Sequence, residues 1–209
     1  MAPSFERPYV TQYDHHNYDG RFETFESEKP LYGQCKIFRK ISQCPVELEI
    51  CRILMNNPHP NCVMIYSVDG FCIDMEHLQT SFKILNVTKN RNMILRDMKH
   101  AIEHLNNFGI VYIDLKLDNI GWGGLSNSYK LFDFDMSGIV YLPRRSYGQD
   151  SDNSSHTVSH NNKKDSNTWL YAPSSGYVYR DYYKSNKASD ISLFDIDQFA
   201  LASFEKALF

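Results

Sequence analysis

The order of strand-like and helix-like segments in this 209-residue chain predicts an α+β protein. Short β-prone runs and one amphipathic helix come first, and mostly helical segments follow. Hydrophobic residues make up 42% of the chain and aromatic residues 14%, which suffices for the core of one domain or of a small two-lobed unit. The composition therefore argues against wholesale disorder.

The first quarter of the chain combines a polar start with one strand and one helix. Residues 1–30 are polar and aromatic, and they are predicted to form a polar N-terminal segment with a loop at YDHHNYDG. The run QCKIFRKI predicts a strand. PVELEICRILM has apolar residues at helical spacing and Pro45 in the first turn, where its missing N–H is tolerated, so it predicts a helix.

Two further strands and a long helix are predicted next. NCVMIYSV and GFCIDME flank Asp69-Gly70, a dipeptide typical of hairpin turns. NMILRDMKHAIEHLNNFG predicts an amphipathic helix, and Gly109 fits its C-terminal cap. The apolar face of this helix is expected to consist of Ile94, Leu95, Met98, Ala101, Ile102 and Leu105.

The second half ends in a polar stretch and an apolar helix. A short strand is predicted at YKLF. Residues 144–167 are rich in Ser, Asn, Asp, His and Lys, a composition typical of a mobile loop. Residues 192–208 predict an apolar helix, which carries too many charges for a membrane span.

Charge and cysteine content narrow the functional classes. The formal net charge of -3 argues against a nucleic-acid binder and against a protein bound to an anionic membrane. No signal peptide is visible, and no C-x-x-C pair occurs. We therefore expect an intracellular protein, cytoplasmic or nuclear, with reduced and mostly packed thiols. The cysteines are Cys35, Cys44, Cys51, Cys62 and Cys72.

The stretch GIVYIDLKLDNIGW, residues 109–122, sets three polar side chains among apolar ones. Asp114, Lys116 and Asn119 follow the spacing D-x-K-x-x-N, which by itself also suits a turn with solvated polar groups. After a short strand the chain reaches Asp133, followed by Phe134. A lysine in a predicted strand and a glutamate in a predicted helix lie upstream. Charged residues that could bind phosphate groups or metal ions are therefore present in several predicted elements.

Together these motifs resemble those of the eukaryotic-type protein kinases, from about Lys36 to the end of the chain. YIDLKLDN resembles the catalytic loop and LFDFDMSG the metal-binding DFG segment. FCIDMEHL resembles the strand and hinge that hold adenine. The other resembling segments are WLYAPSS, for the end of the activation segment, and DIDQFALASF, for the buried helix behind the catalytic loop.

The resemblance implies a bilobal protein-kinase-like fold. A reduced N-terminal sheet lobe with the hinge would occupy residues 31–78. A C-terminal helical lobe, truncated after the central buried helix, would occupy residues 79–209, with a polar activation-segment insert at about 144–167. Compact and divergent kinases of this kind are similar to those of large DNA viruses.

The resemblance also implies a division of labour among the catalytic and metal-binding residues. Asp114 would accept the proton of the attacking hydroxyl, and Lys116 would neutralise the γ-phosphate. Asn119 and Asp133 would offer oxygen ligands to Mg²⁺ on ATP. A lysine two residues after the aspartate is the serine/threonine-kinase form, which disfavours a small-molecule phosphotransferase.

The implied nucleotide pocket uses the first part of the chain. Met75 would be the gatekeeper, and Glu76 to Leu78 would form the hinge. Lys36 resembles the strand lysine, with Lys40 as the second candidate and a solvated strand face as the other explanation for both. Glu47 is preferred to Glu49 as its partner, because Ile50, Cys51 and Leu54 follow it at the family's usual offsets. The resemblance further implies that Asp197 braces backbone amides near Tyr112.

Several departures from the family pattern affect the functional prediction. No G-x-G-x-x-G precedes Lys36, and Asp135 takes the place of the glycine of DFG. Ile113 replaces the arginine that commonly pairs with a phosphorylated activation loop, so activity is expected not to depend on that phosphorylation. Ser174 stands where the family has the glutamate of APE. The chain is predicted to transfer phosphate from ATP to serine or threonine of a protein substrate. The alternative is a pseudokinase that binds and regulates a partner protein.

Overall fold

The computed structural model describes residues 22–26 by their backbone, and residues 36–81, 85–140, 169–173, 182 and 192–209 in full. Small antiparallel sheets combine with α-helices in these residues, which confirms the predicted α+β class. The predicted loop at residues 144–167, Ser174 and Cys35 lie outside the described residues.

The described elements follow one another in a simple order. They are β1 (Phe22–Glu26), β2 (Lys36–Ile41), α1 (Pro45–Asn56), β3 (Ile65–Asp69), β4 (Cys72–Glu76), α2 (Val87–Asn107), β5 (Ile110–Val111), a 3₁₀ turn (Leu117–Asn119), β6 (Ile120–Gly123), β7 (Ser128–Leu131), β8 (Gly138–Val140), β9 (Trp169–Tyr171) and α3 (Asp195–Leu208).

The first sheet has the strand order β1-β2-β4-β3 and is antiparallel throughout. The predicted hairpin joins β3 to β4, and Gly70 in its turn has φ +56°. Strand β1 lies within residues 1–30, where the sequence predicts only a polar segment. It pairs with β2 over its whole length, so cross-strand pairing stabilises a strand whose own sequence signal is short.

Helix α2 lies at the centre of the main hydrophobic core. All six residues of its predicted apolar face are buried, and they pack with residues of α1, β3, β4 and α3. Gly109 has φ +76° and donates its backbone N–H to the carbonyl of Asn106, so the predicted C-terminal cap is confirmed. Helix α1 begins at Pro45 as predicted.

Two small sheets complete the described structure. Strands β6 and β7 form a hairpin, and a second sheet has the order β5-β8-β9. A smaller core cluster, which includes Val111, Ile113 and Ile196, joins this sheet to α3. The four described cysteines are free thiols, as predicted. No helix in the described part of the chain is long and apolar enough to cross a membrane.

Candidate functional site

Two loops meet because the strands at both of their ends are paired. The Asp114 loop (residues 112–119) connects β5 to β6, and the Asp133 loop (residues 132–137) connects β7 to β8. Val111 pairs with Gly138 at one end of the two loops, and Ile120 pairs with Leu131 at the other. The antiparallel registers therefore bring together two segments that the sequence separates by a hairpin.

The polar side chains of the Asp114 loop form one hydrogen-bonded group. Lys116 Nζ donates to Asp114 Oδ2 at 2.7 Å, and Asn119 Nδ2 donates to the same oxygen at 3.0 Å. Asn119 Nδ2 also donates to the backbone carbonyl of Asp114 at 3.0 Å. The hydrogen bond with Asp114 raises the pKa of Lys116, and the nearby charge of Asp133 adds to the increase. The aspartates of both loops thus act on one ammonium group.

Lys40 forms a second polar group with two carboxylates. Its Nζ donates to Glu47 Oε1 and to Asp133 Oδ1, at 2.6 Å each. Burial lowers the pKa of Lys40, but attraction by Glu47 and Asp133 outweighs it, and the pKa is raised above its usual value. Lys40 is therefore a fixed cation that connects α1 to the Asp133 loop.

The strand lysine that pairs with Glu47 and Asp133 is Lys40, the second candidate, and not the preferred Lys36. Lys36 begins β2 and is exposed, opposite Glu26 of β1. The two lysines are four residues apart, so the alternation of a strand places them on the same face. They lie about 13 Å apart along the strand, at roughly 3.3 Å per residue. Of the two, only Lys40 is close enough to the start of α1 to contact Glu47.

The preference for Glu47 over Glu49 agrees with the geometry. The Glu47 side chain is 1% exposed and also accepts the backbone N–H of Phe134 at 3.3 Å. Glu49 lies at the surface and pairs with Arg52 at 3.4 Å. The carboxylate of Glu47 is the one that faces the site.

Backbone strain marks both loops. Ile113 has φ 72° and Asp133 has φ 63°, in the left-handed region that β-branched residues in particular avoid.

Asp197 Oδ1 accepts the backbone N–H groups of Ile113 at 2.9 Å and Tyr112 at 3.0 Å, so the predicted brace is confirmed. Complete burial raises the pKa of Asp197 to about 7, although these two hydrogen bonds act to lower it.

Tyr112 holds the two loops together. Its hydroxyl donates to the carbonyl of Phe132 at 2.5 Å, and its own carbonyl accepts the hydroxyl of Ser137 at 3.1 Å. Its ring meets that of Phe134 edge to face at 5.8 Å. The residues on both sides of Asp133 are therefore fixed to the start of the Asp114 loop.

An apolar cleft lies beside Phe132, the residue before Asp133. Its volume is about 210 Å³, below the roughly 300–1,000 Å³ of sites that enclose a whole drug-sized ligand. It is therefore too small to enclose a whole ligand of that size. The predicted hinge and gatekeeper residues are all in its wall. The lining consists of Phe38, Val63, Met75, Glu76, His77, Leu78, Thr80 and Phe132.

The carboxylate of Glu76 has a structural partner that the sequence did not reveal. Lys130 Nζ donates to Glu76 Oε2 at 2.6 Å, and both side chains are buried. A Cβ at Gly123 would lie 2.6 Å from Lys130 Cε and 2.9 Å from Glu76 Oε1, so glycine leaves room for this pair. The feature of the sequence that could have indicated this buried pair is a lysine within the apolar run YKLF. The carboxylate of Glu76 is therefore occupied, and its backbone N–H donates to the carbonyl of Met64 at 2.9 Å.

The oxygen donors near Lys40 fit a magnesium ion carried by a nucleotide better than a metal cage made of protein alone. Among the described residues, no group of three or more His, Cys, Asp and Glu side chains is arranged to hold a metal ion. The Asp133 carboxylate is 34% exposed and Asn119 adds an amide oxygen. Mg²⁺ typically takes one or two carboxylates together with phosphate oxygens and water. Asp135 lies nearby, and burial and the charge of Asp133 raise its pKa.

Comparison with known proteins does not place the chain in a family. No protein-family model matches it, and no curated protein is significantly similar to it. Its function must therefore be inferred from the geometry of the site.

Proposed function

We propose that this protein is a divergent serine/threonine protein kinase of bilobal, kinase-like architecture, which transfers the γ-phosphate of ATP to a hydroxyl group of a protein. One observation carries the proposal. Asp133 and the hydrogen-bonded group around Asp114 lie on two loops that are paired at both ends, and Asp133 also binds Lys40, which Glu47 of α1 holds from the other side. This arrangement supplies a fixed cation, oxygen ligands and a candidate base in one place.

The binding roles follow from burial and charge. The apolar cleft would take the adenine ring, since its wall is mostly aliphatic and aromatic. Lys40 would contact the phosphates, and Glu47 keeps it in place and charged. Asn119 and Asp133 would hold Mg²⁺, which neutralises phosphate charge when it is bound.

The catalytic roles belong to the Asp114 loop. Asp114 would accept the hydroxyl proton of the substrate and orient the attacking oxygen. Lys116 is kept charged by its hydrogen bond with Asp114 and is half exposed, so its ammonium can turn toward a phosphate. Asn119 fixes the carboxylate of Asp114 through a second hydrogen bond.

A kinase-shaped binding module is the second candidate. Two observations favour it: Lys40 is already shared by two carboxylates, and Asp135 adds another acidic group beside Asp133. Both features compete with a nucleotide for the same cation or repel its phosphates. In that case the molecule would act through a partner protein and without phosphate transfer.

The decisive experiment measures transfer from ATP labelled at the γ-phosphate, with Mg²⁺ and generic protein substrates. Wild type should transfer, and Asp114→Asn should lose roughly two to four orders of magnitude in rate. Asp118→Asn is the matched control, because Asp118 is an exposed aspartate of the same loop and should leave the rate unchanged.

Binding is measured in parallel by thermal shift with ATP and Mg²⁺. Wild type should be stabilised, and Asp133→Asn should reduce the shift. Binding without transfer in wild type would favour the binding module. A wild type that neither binds ATP nor transfers phosphate would overturn the proposed kinase activity, whereas the binding module, which acts through a partner protein, does not require ATP.

A further inference from the structure

Ser42 lies in the three-residue connection between β2 and α1, and its side chain is buried. Its hydroxyl donates to Glu47 Oε2 at 2.6 Å. The other oxygen of Glu47, Oε1, accepts from Lys40. The two oxygens of one carboxylate are thus divided between a neutral donor and a cation.

The direction of the Ser42 hydroxyl proton is fixed by its other contact. The backbone N–H of Cys44 donates to Ser42 Oγ at 3.2 Å, so this oxygen accepts on one side. The carboxylate of Glu47 can only accept, so the single proton of the Ser42 hydroxyl is the one in the bond to Oε2. The backbone N–H of Ser42 donates to the carbonyl of Phe71 at 2.8 Å, which ties the residue to the β3–β4 turn.

We infer that Ser42 is a positioning residue of the candidate site: its hydroxyl orients the Glu47 carboxylate so that Oε1 faces Lys40. A carboxylate that is 1% exposed needs a partner for each oxygen, and Ser42 supplies the second one. Because the connection from β2 to α1 is so short, serine, glutamate and lysine form one local unit. The lysine–glutamate pair is therefore assembled by the fold itself, before any ligand binds.

The functional meaning of this inference rests on the proposed kinase activity, but its geometry does not. The first test therefore avoids ATP. Each lysine is labelled with a small amine-reactive ester under native conditions, and the rate at each position is measured by mass spectrometry. Lys40 should react slowly in wild type because its ammonium group is paired with Glu47 and Asp133 and its side chain is only 14% exposed.

In Ser42→Ala, the labelling rate of Lys40 should rise roughly tenfold, the factor that corresponds to losing one hydrogen bond to a charged group. Exposed Lys36 serves as the internal reference and should be unchanged. Ser67→Ala is the matched control, since the Ser67 hydroxyl donates to another paired carboxylate, Asp74 Oδ2, at 3.2 Å. Ser42→Thr keeps the hydroxyl and should label as wild type does.

An unchanged Lys40 rate in folded Ser42→Ala would overturn the inference. Should Ser42→Ala not fold, Ser42→Cys replaces it, because a thiol is similar in size and donates only weakly. A double-mutant cycle with Glu47→Gln separates positioning from general loosening. Ser42→Ala should add nothing to Lys40 labelling once Glu47 is replaced, and an additive effect would contradict the inference.

The second test uses the proposed activity. Ser42→Ala should raise KM for ATP about tenfold by displacing Lys40, leave KM for the protein substrate unchanged, and be rescued by Ser42→Thr. An unchanged KM for ATP, where wild type transfers phosphate, would contradict the role in nucleotide binding. A wild type that transfers nothing refutes the proposed function, and the labelling result still decides the role of Ser42.

Discussion

Lys40 is held between two carboxylates that come from different parts of the chain. Glu47 lies on α1, seven residues away, while Asp133 lies 93 residues away on the loop before β8. A buried ion pair contributes little net free energy, but removing one member leaves a buried charge without compensation. The main role of Lys40 is therefore to position the carboxylates of Glu47 and Asp133, and the net stabilisation from the ion pairs is small.

Lys40→Met tests this role against Lys36→Met. Lys40→Met should reduce the free energy of unfolding by about 3–5 kcal/mol, because the buried Glu47 loses its cation. It should also abolish the thermal shift with ATP and Mg²⁺. Lys36→Met changes an exposed residue of the same strand and should stay within about 0.5 kcal/mol of wild type in urea unfolding. Equal effects of the two variants would contradict the assignment of Lys40.

At the scale of elements, the hairpin β6–β7 supports the wall of the cleft. Gln79 and Trp122 exchange both backbone hydrogen bonds, at 3.1 Å and 2.8 Å. Beside them, a Cβ at Gly121 would lie 2.5 Å from Leu78 Cβ, so the backbone of β6 packs directly against the first side-chain atom of Leu78. The position of Leu78 thus depends on a glycine in a neighbouring element.

Gly121→Ala should push Leu78 into the cleft, because Cβ cannot move away without its backbone. Overpacking of this kind costs about 1–3 kcal/mol, and it should also weaken nucleotide binding. Gly124→Ala, in the turn of the same hairpin, meets no atom within 4 Å and is the matched control. Urea unfolding and thermal shift with ATP measure the two effects. A fully stable Gly121→Ala would show that the hairpin does not set the cleft wall.

The elements also show what the sequence can predict. Helix α2 was predictable because its apolar residues repeat at helical spacing, and all six of them are buried. Asp197 was predicted to brace the Asp114 loop by resemblance to the kinases, supported by the high cost of burying an unpaired carboxylate. Strand β1 and the choice between Lys36 and Lys40 were missed, because both depend on which segments pair across the first sheet. Ser42 gave no signal, because its role lies in one hydrogen bond.

At the scale of the whole molecule, the buried pair of Glu76 and Lys130 joins the first sheet to the hairpin β6–β7. Glu76 ends β4 and Lys130 lies in the middle of β7, 54 residues further along the chain. Around them, Asn61 Nδ2 donates to the carbonyl of Tyr129 at 3.0 Å, and Val63 donates its backbone N–H to the carbonyl of Leu131 at 2.9 Å. Strand β7 is thus fixed to the first sheet by the ion pair, and to the segment just before β3 by hydrogen bonds.

A double-mutant cycle measures how strongly this pair couples the two parts. Lys130→Met and Glu76→Leu should each reduce the free energy of unfolding by about 3–5 kcal/mol, because each leaves a buried charge alone. The double variant should be more stable than either single variant, since an apolar pair of similar size needs no compensating charge. The control is the cycle of Arg39→Met and Asp74→Leu, a less buried pair within the first sheet at 2.6 Å, which should show weaker coupling. Additive losses at Glu76 and Lys130 in urea unfolding would show that the two charges do not depend on each other.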